Sequence, residues 1–155
     1  MAITVSGLYV TNFEDVLDAT QLAIDLSLTS HKWALYNNTK TPNFSTDTAY
    51  SATNEVSGTG WAAGGVALSA ISAGATSAAP TLTESPTGSL KYDMNDISVA
   101  STTLSLARGM LLYADALAGD NAIVFVNFGA DYSTVAGTFA VVFDALGVFA
   151  IDLTP

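Results

Sequence analysis

From Leu104 to Leu153, apolar runs alternate with short polar turns, and this pattern restricts the folds that the chain can adopt. Apolar runs bounded by turn residues are typical of β-strands that are buried on at least one face. Within these runs only Arg108 and Asp152 are charged. The pattern predicts four strands: Leu104–Tyr113, Ile123–Phe128, Thr138–Phe143 and Val148–Leu153.

The turns predicted between these strands are residues 118–121, 129–137 and 144–147. Each combines Gly with Asp or Asn, residues that favour turns because Gly permits positive φ and the Asx side chains bind the local backbone. A sheet with an apolar face needs a second layer to cover it. We therefore expect the earlier part of the chain to supply a second sheet and a cover.

One helix is predicted near the N-terminus, from about Asn12 to Ala23. Thr11 or Asn12 can cap it, because each side chain has an oxygen that accepts from the free N–H groups of the first turn. Glu14 and Asp15 lie in that turn, where the helix dipole favours negative charge. The apolar residues recur at the spacing of one helical face, so we expect the helix to cover one open end or face of the sheets.

The other predicted strands are short and lie among polar loops. They are Ile3–Val10, His31–Asn37, Val66–Ser72, Leu90–Met94 and Asp96–Val99, with an extended edge at Tyr50–Val56. In the second of them, Trp33 and Leu35 face one side of the sheet, and Ala34 and Tyr36 face the other. Residues 73–89 are rich in Ala, Ser, Thr and Pro, and we interpret them as a loop insertion, exposed or loosely extended.

Short strands with polar turns at a spacing of roughly 8–12 residues predict an all-β fold. We expect an antiparallel β-sandwich, or a jelly-roll-like arrangement, with one N-terminal α-helix. The chain has 155 residues and shows no internal repeat or linker, so the sequence predicts a single domain over residues 1–155.

The charge balance argues against nucleic acid and membranes as partners. The chain has 14 acidic residues and four basic ones, and its net charge is −10. Nucleic acids and anionic membranes are bound by clustered Lys and Arg, and here these residues are far apart in sequence. The N-terminus lacks the features of a signal peptide, and no apolar run is long enough for a transmembrane helix. We therefore predict neither kind of partner.

The low charge also bears on the surface of the protein. Half of the residues are hydrophobic and only 12% are charged, and there is no Cys for disulfides or thiolate metal sites. One interpretation is a monomer whose surface is rich in hydroxyl groups. The other is that apolar surface is covered by other chains, since large exposed apolar patches mark interaction sites. We favour the second.

The residues do not predict an enzyme or a cofactor. His31 is the only histidine, and the neighbouring Ser30 points to the opposite face of a strand, so no Ser–His–Asp triad is formed there. The Asp93–Asp96 segment has oxygen ligands that suit calcium, as do Asp115 and Asp120, but the spacing of an EF-hand is absent and no metal is predicted. The carboxylates considered for a glycosidase pair are Glu55, Glu84, Asp93, Asp96, Asp131 and Asp144, and most are interpreted as turn residues.

A glycine-rich segment and four aromatic residues offer two further sites. Residues 57–60 (Ser-Gly-Thr-Gly) lack the Lys of a phosphate-binding loop, so we interpret these glycines as permitting close approach of the backbone. Trp33, Tyr36, Tyr50 and Trp61 could form a platform on which sugars stack. We favour packing in a core or an interface.

Residues 54–65, Asn-Glu-Val-Ser-Gly-Thr-Gly-Trp-Ala-Ala-Gly-Gly, resemble a segment of small structural proteins from the virions of tailed bacteriophages, in which Tyr replaces Trp61. The N-terminal helix followed by a Trp-Ala-Leu-Tyr strand is similar as well. Further similar pieces lie at 108–115, 126–131, 136–139 and 143–147. The resemblance extends from about Phe13 to Leu153 and is interrupted at 73–89.

The resemblance implies a non-enzymatic structural protein of a virion, assembled in the cytoplasm of a bacterial host. The role expected first is a capsid decoration (cement) protein, whose partners are other copies of itself, as a homo-oligomer such as a trimer, and the major capsid protein. A neck, collar or tail component is the alternative, and a glycan-binding module is a further one. The predicted interface comprises the segment 73–89 and five residues: Trp61, Gly64, Gly65, Trp33 and Tyr36.

Overall fold

The computed structural model describes residues 3–17, 22–71 and 80–154, which form a mostly β structure with one α-helix. The helix α1 covers Val10–Leu17, and a short 3-10 helix covers Leu68–Ala70. The strands are β1 (Gly7–Leu8), β2 (Lys32–Tyr36), β3 (Glu55–Val56), β4 (Val66–Ala67), β5 (Thr81–Glu84), β6 (Ser89–Asp93), β7 (Ile97–Ala114), β8 (Asn121–Val141) and β9 (Phe149–Asp152).

These strands form two antiparallel sheets. The first has the order β1-β8-β7-β2-β3, with β4 also pairing with β2, and the second has the order β5-β6-β9. One cluster of buried side chains receives residues from both sheets, including Trp33 and Leu112 from the first and Tyr92 from the second. The prediction of an all-β, sandwich-like fold with one N-terminal helix is therefore confirmed.

Strand β2 is buried on both faces. Trp33 and Leu35 belong to the cluster between the two sheets, whereas Ala34 and Tyr36 belong to a second cluster on the opposite face of the first sheet. The predicted alternation is confirmed. A strand that is apolar on both faces belongs in the middle of a sheet, and β2 lies there between β7 and the short strands β3 and β4.

The helix α1 starts earlier than predicted, at Val10. It begins before Asn12, and Ala23 is not helical, while residues 18–21 lie outside the described residues. Asn12 is not a cap: its side chain is buried, and Nδ2 donates to the carbonyl oxygens of Thr48 at 2.7 Å and Ala122 at 2.6 Å. These two hydrogen bonds fix the helix to β8 at Ala122 and to the loop at Thr48.

The helix and the chain before it cover parts of both clusters. Tyr9, directly before α1, is buried in the second cluster, where its ring meets that of Phe44 edge to face at 5.4 Å. Phe13, in the helix, packs against the first cluster, and its ring centroid lies 6.2 Å from that of Phe149 in β9. The helix therefore contacts β8 of the first sheet through Asn12 and β9 of the second sheet through Phe13.

The largest departure from prediction is the length of β7 and β8. The strand predicted at 96–99, except its first residue, and the one predicted at 104–113 fall within β7. The strands predicted at 123–128 and 138–143 are joined by β8, which ends at Val141. The turn predicted at 129–137 is wrong. Gly129 and Ala136 have positive φ, at 76° and 47°, but the register of β8 on β7 only shifts there and the strand does not reverse. Bulges absorb an extra residue in this way.

Several short elements also differ from their predicted bounds. Only Gly7–Leu8 of the first predicted strand pairs, and Val66–Ala67 continues as the 3-10 helix at Leu68–Ala70. Of the predicted loop insertion, residues 73–79 lie outside the described residues, and Thr81–Glu84 forms β5. Backbone pairing with β6 holds this segment as a strand although its side chains are exposed, so composition did not reveal it.

Candidate interaction surface

The aromatic side chains predicted at an interface lie inside the chain. Trp33, Tyr36 and Trp61 are each 0% exposed. Trp33 stacks on Phe143 with ring centroids 6.3 Å apart, and Trp61 meets Phe139 edge to face at 5.5 Å. The prediction that these three rings contact a partner is therefore wrong for the folded chain, because neighbours within the chain cover them. For the same reason they cannot form a platform for sugars.

The two glycines predicted at the interface place the glycine-rich segment against the first sheet. Gly64 and Gly65 both have positive φ, at 82° and 78°. A Cβ at Gly65 would lie 2.4 Å from the carbonyl oxygen of Trp33, so the backbone can come this close only without a side chain. Gly65 is buried, whereas Gly64 is partly exposed, and contact of Gly64 with a partner stays a prediction.

A polar network holds the same segment in place. Glu55 accepts hydrogen bonds from the backbone N–H of Gly64 at 2.8 Å and from Oη of Tyr50 at 2.7 Å, while Oη of Tyr113 donates to the carbonyl oxygen of Gly64. The rings of Tyr50 and Tyr113 stack at 4.8 Å. Burial raises the pKa of both phenols, so they stay protonated and act as donors. The network joins the segment to β7 and is structural.

The carboxylates considered for catalysis or for a cation have local partners. Asp93 accepts from the backbone N–H of Met94 at 2.9 Å and pairs with Lys91 at 3.1 Å, and Asp96 accepts from the N–H of Phe143 at 3.0 Å. Glu84, Asp115 and Asp144 are engaged in the same way by Gly88, Lys32 and Leu146. Within residues 3–17, 22–71 and 80–154, no three His, Asp or Glu side chains are close enough together to hold a metal ion.

The single histidine lies in the interior as a neutral side chain. His31 is 1% exposed, and its Nε2 donates to the carbonyl oxygen of Asp25 at 2.7 Å. Its Nδ1 is buried and has no hydrogen-bond partner in the described part of the chain. Burial lowers the pKa of His31, because a second N–H in the ring would have no acceptor and the charge would lose its hydration.

This geometry predicts that stability falls in mild acid. The pKa of His31 is lower in the folded chain than the value of about 6.5 in the unfolded chain, so His31 favours folding above pH 6.5 and this contribution is lost as the pH falls below it. The free energy of unfolding is expected to drop by up to about 1.4 kcal/mol per pH unit below that point. Urea unfolding at a series of pH values from 7.5 to about 5 measures it.

The matched control is His31→Gln, because the amide of Gln keeps a donor for the carbonyl oxygen of Asp25 but does not titrate. The variant is expected to lose the pH-dependent part of the stability that wild type shows between pH 7 and 5. Equal slopes for wild type and variant in that range would contradict the assignment.

Three of the eleven large hydrophobic side chains that are exposed among the described residues lie on one part of the long hairpin. We call residues 97–107 of β7 and 128–141 of β8 the distal hairpin, because these parts lie away from the turn that joins the strands. Towards the turn, residues 109–114 and 122–125 are buried. In the distal hairpin, by contrast, Leu106 and Tyr132 are more than half exposed and Val135 is 86% exposed. Val142, directly after β8, is also largely exposed.

An open groove of about 440 Å³ lies along β8 in the distal hairpin. Its lining includes Phe128 and Tyr132, whose rings meet edge to face at 6.1 Å, as well as Thr138 and Val142. Phe139 in the groove also contacts Trp61, so the buried glycine-rich segment supports the groove from inside the chain. The walls are aromatic, aliphatic and hydroxyl side chains.

The distal hairpin carries few charges. From residue 128 to residue 142 the only ionisable side chains are Asp131 and Tyr132. The carboxylate of Asp131 lies 3.5 Å from the guanidinium of Arg108, the only charged residue of β7. With this pair the surface is neutral although the chain has a net charge of −10. An apolar contact here costs little desolvation of charge.

The backbone of the distal hairpin is strained at Leu106, whose side chain is exposed. Leu106 has φ +57°, a left-handed conformation that costs a residue with a side chain roughly 1–2 kcal/mol. Its N–H donates to Oγ of Ser133 at 2.9 Å, which helps to hold the conformation. Strained residues persist where the surrounding structure determines them, and they cluster at sites of function.

Sequence reasoning missed this surface. Tyr132 and Val135 fall in the segment predicted as a turn, and Leu106 falls in a strand predicted as buried. One signal was present: Tyr, Thr and Val between Gly129 and Gly137 are residues that favour strands over turns. The functional candidates that the structure exposes on or beside the distal hairpin are therefore Leu106, Tyr132, Val135 and Val142, and none of them is among the five predicted interface residues.

Comparisons with known proteins give no relative for this chain. No protein-family model, no curated protein and no solved structure matches it significantly. Within the described residues, no helix is both long enough and apolar enough to span a bilayer.

Proposed function

We propose that this chain is a non-enzymatic structural protein of a bacteriophage particle, acting as a capsid decoration (cement) protein on the head. The resemblance of residues 54–65 and of several later pieces to small virion proteins supports the phage assignment. The observation that carries a role in assembly is the nearly uncharged distal hairpin, where Leu106, Tyr132 and Val135 are exposed and Tyr132 lines an open groove. Exposed apolar patches with polar rims mark sites of protein association.

The proposed mechanism rests on this surface and on the presence of many copies in one particle. A rigid two-sheet protein places the distal hairpin against a neighbouring copy or against the major capsid protein, and burial of apolar area supplies the attraction. Each contact is weak, but a lattice offers many sites, so binding at one site raises the effective concentration at the next. Such a protein needs no reacting group, and the described carboxylates serve turns and ion pairs.

Two alternatives remain. A neck, collar or tail component would use the same apolar surface at fewer places in the particle. A glycan-binding module has weaker support, because Trp33, Tyr36 and Trp61 are buried, although Tyr132 is exposed in the groove. A glycan array distinguishes this last alternative, since a decoration protein is expected to give no specific hits.

The test of the proposal is the composition of a particle that contains the chain. Quantitative mass spectrometry of purified particles is expected to find the chain in numbers comparable to those of the major capsid protein, and electron microscopy is expected to place it on the head. A copy number far below that of the capsid protein would reject decoration in favour of the neck or tail. Absence from particles would reject both.

A further inference from the structure

The segment between α1 and β2 is held to the rest of the fold by few contacts. Residues 23–28, which we call the latch segment, contain no helix and no strand. In the described part of the chain, the hydrogen bonds of these residues reach only residues 22–31. The segment contacts the sheets by the packing of Ile24 and Leu26, both partly buried, against the first cluster. A segment with so few bonds opens at a lower cost in free energy than the strands beneath it.

His31 joins the latch segment to the start of β2. Its Nε2 donates to the carbonyl oxygen of Asp25 at 2.7 Å, and the same oxygen accepts from the N–H of Leu28 at 3.2 Å. The carboxylate of Asp25 accepts from the N–H of Ser27 at 2.9 Å and from its hydroxyl at 2.6 Å. Asp25 is therefore the residue at which the turn of the latch segment and the buried ring of His31 are connected.

The surroundings of the His31 ring do not accommodate a second proton. Nδ1 is buried and has no acceptor among the described residues, so a proton there would lose hydration without gaining a hydrogen bond. Burial lowers the pKa of His31, and attraction by Asp25 opposes this effect only in part. The next residue, Lys32, is paired with Asp115 at 2.8 Å. The 3-10 helix, whose Leu68 N–H donates to the carbonyl oxygen of His31, carries no charge.

We propose that protonation of His31 opens the latch segment while both sheets stay folded. The charged ring reaches water when the segment moves away, and the hydrogen bond to Asp25 is exchanged for hydrogen bonds to water. Ile24 and Leu26 leave the first cluster and expose the part of it that they cover. The fold thereby contains a switch that mild acid operates through its one histidine.

This opening is distinct from global unfolding, because no pairing between strands involves residues 23–28. It also does not depend on the proposed function. Asp25 does not titrate in mild acid, because the hydrogen bonds from Ser27 lower the pKa of its carboxyl below 3.8. A change in the latch segment between neutral pH and about pH 5 therefore reports on His31, whose ordinary pKa is about 6.5.

A single introduced thiol tests the inference, since the chain has no Cys. Leu26→Cys places the thiol in the latch segment, and its rate of labelling by dithiodipyridine, divided by that of a small free thiol at the same pH, measures opening. This ratio is expected to rise up to about tenfold per pH unit as the pH falls from about 6.5 to about 5. The matched control is Val66→Cys, because Val66 in β4 is also partly buried against the first cluster. Its ratio is expected to stay constant.

A second background identifies the titrating group. In Leu26→Cys combined with His31→Gln, the amide keeps a donor for the carbonyl oxygen of Asp25 but takes up no proton, so the ratio is expected to stay constant. A Leu26→Cys ratio that does not change with pH overturns the inference. An equal rise in the His31→Gln background would assign the effect to another group, and an equal rise in Val66→Cys would show global unfolding, so either result also overturns it.

Hydrogen exchange of wild type decides if Leu26→Cys fails to fold. The protection of the Leu28 amide, which donates to Asp25, is expected to fall over the same pH range, while that of Leu111 in the middle of β7 is kept. Protection that stays unchanged at Leu28, or that is lost equally at both amides, overturns the inference.

Discussion

Replacing Gly65 with alanine is expected to lower the free energy of unfolding by about 3–5 kcal/mol. The added Cβ would lie 2.4 Å from the carbonyl oxygen of Trp33 and 2.9 Å from the backbone nitrogen of Ala34, so β4 would have to move away from β2. Because both partners are backbone atoms of a strand buried on both faces, no side chain can rotate to relieve the overlap. A positive φ of 78° adds a further cost. Urea unfolding followed by tryptophan fluorescence measures the loss.

The neighbouring Gly64 provides the matched control. Its φ of 82° is nearly the same, but a Cβ there would meet no heavy atom within 4 Å. Gly64→Ala therefore carries only the cost of the left-handed conformation, about 1–2 kcal/mol. The difference between the two variants measures the close approach of β4 to β2. Equal losses would show that conformation alone requires glycine at both positions.

Replacing Trp61 with alanine is expected to lower the free energy of unfolding by about 3–5 kcal/mol, because it leaves a large cavity in the main core. Trp61 is 0% exposed and packs edge to face on Phe139 of β8. The loss is expected to be accompanied by faster hydrogen exchange in the distal hairpin, which Phe139 joins to the glycine-rich segment. Chemical unfolding and exchange of the purified chain provide the two measurements.

A second variant sharpens this prediction. In the described residues the indole N–H of Trp61 has no hydrogen-bond partner, so Trp61→Phe loses side-chain volume but no hydrogen bond, and it is expected to cost less than half as much as Trp61→Ala. Equal losses for Trp61→Phe and Trp61→Ala would show that the size of the cavity does not account for the cost.

The fold was predictable wherever local pattern and final environment agree. In Lys32–Tyr36 the predicted alternation, with Trp33 and Leu35 on one face and Ala34 and Tyr36 on the other, is confirmed, and both faces are buried. The hairpin between β7 and β8 was also predictable near its turn, where Gly, Asp and Asn follow a long apolar run. Prediction failed at 129–137, because the same glycines that can reverse a chain can instead form bulges when a partner strand continues alongside.

The candidate site was predicted far less well than the fold. The aromatic residues singled out from the sequence, Trp33, Tyr36 and Trp61, belong to the core, and the exposed surface instead uses Leu106 and Val135, which carried no sequence motif. Large aromatic side chains are frequent both in cores and in interfaces, so residue type alone does not distinguish the two. Exposure depends on which other segments reach the same place.

The amino-acid sequence by itself therefore determined the class of this protein: antiparallel strands around an apolar core, a single short helix, and a surface with few charges. It did so because strand formation and the hydrophobic effect depend on patterns of neighbouring residues. Only the tertiary structure decided that Asn12 is buried against Thr48 and Ala122, that β8 continues through Gly129, and that Trp61 lies in the core. These features depend on contacts between residues far apart in the sequence, such as Asn12 with Ala122, and such contacts exist only once the chain has folded.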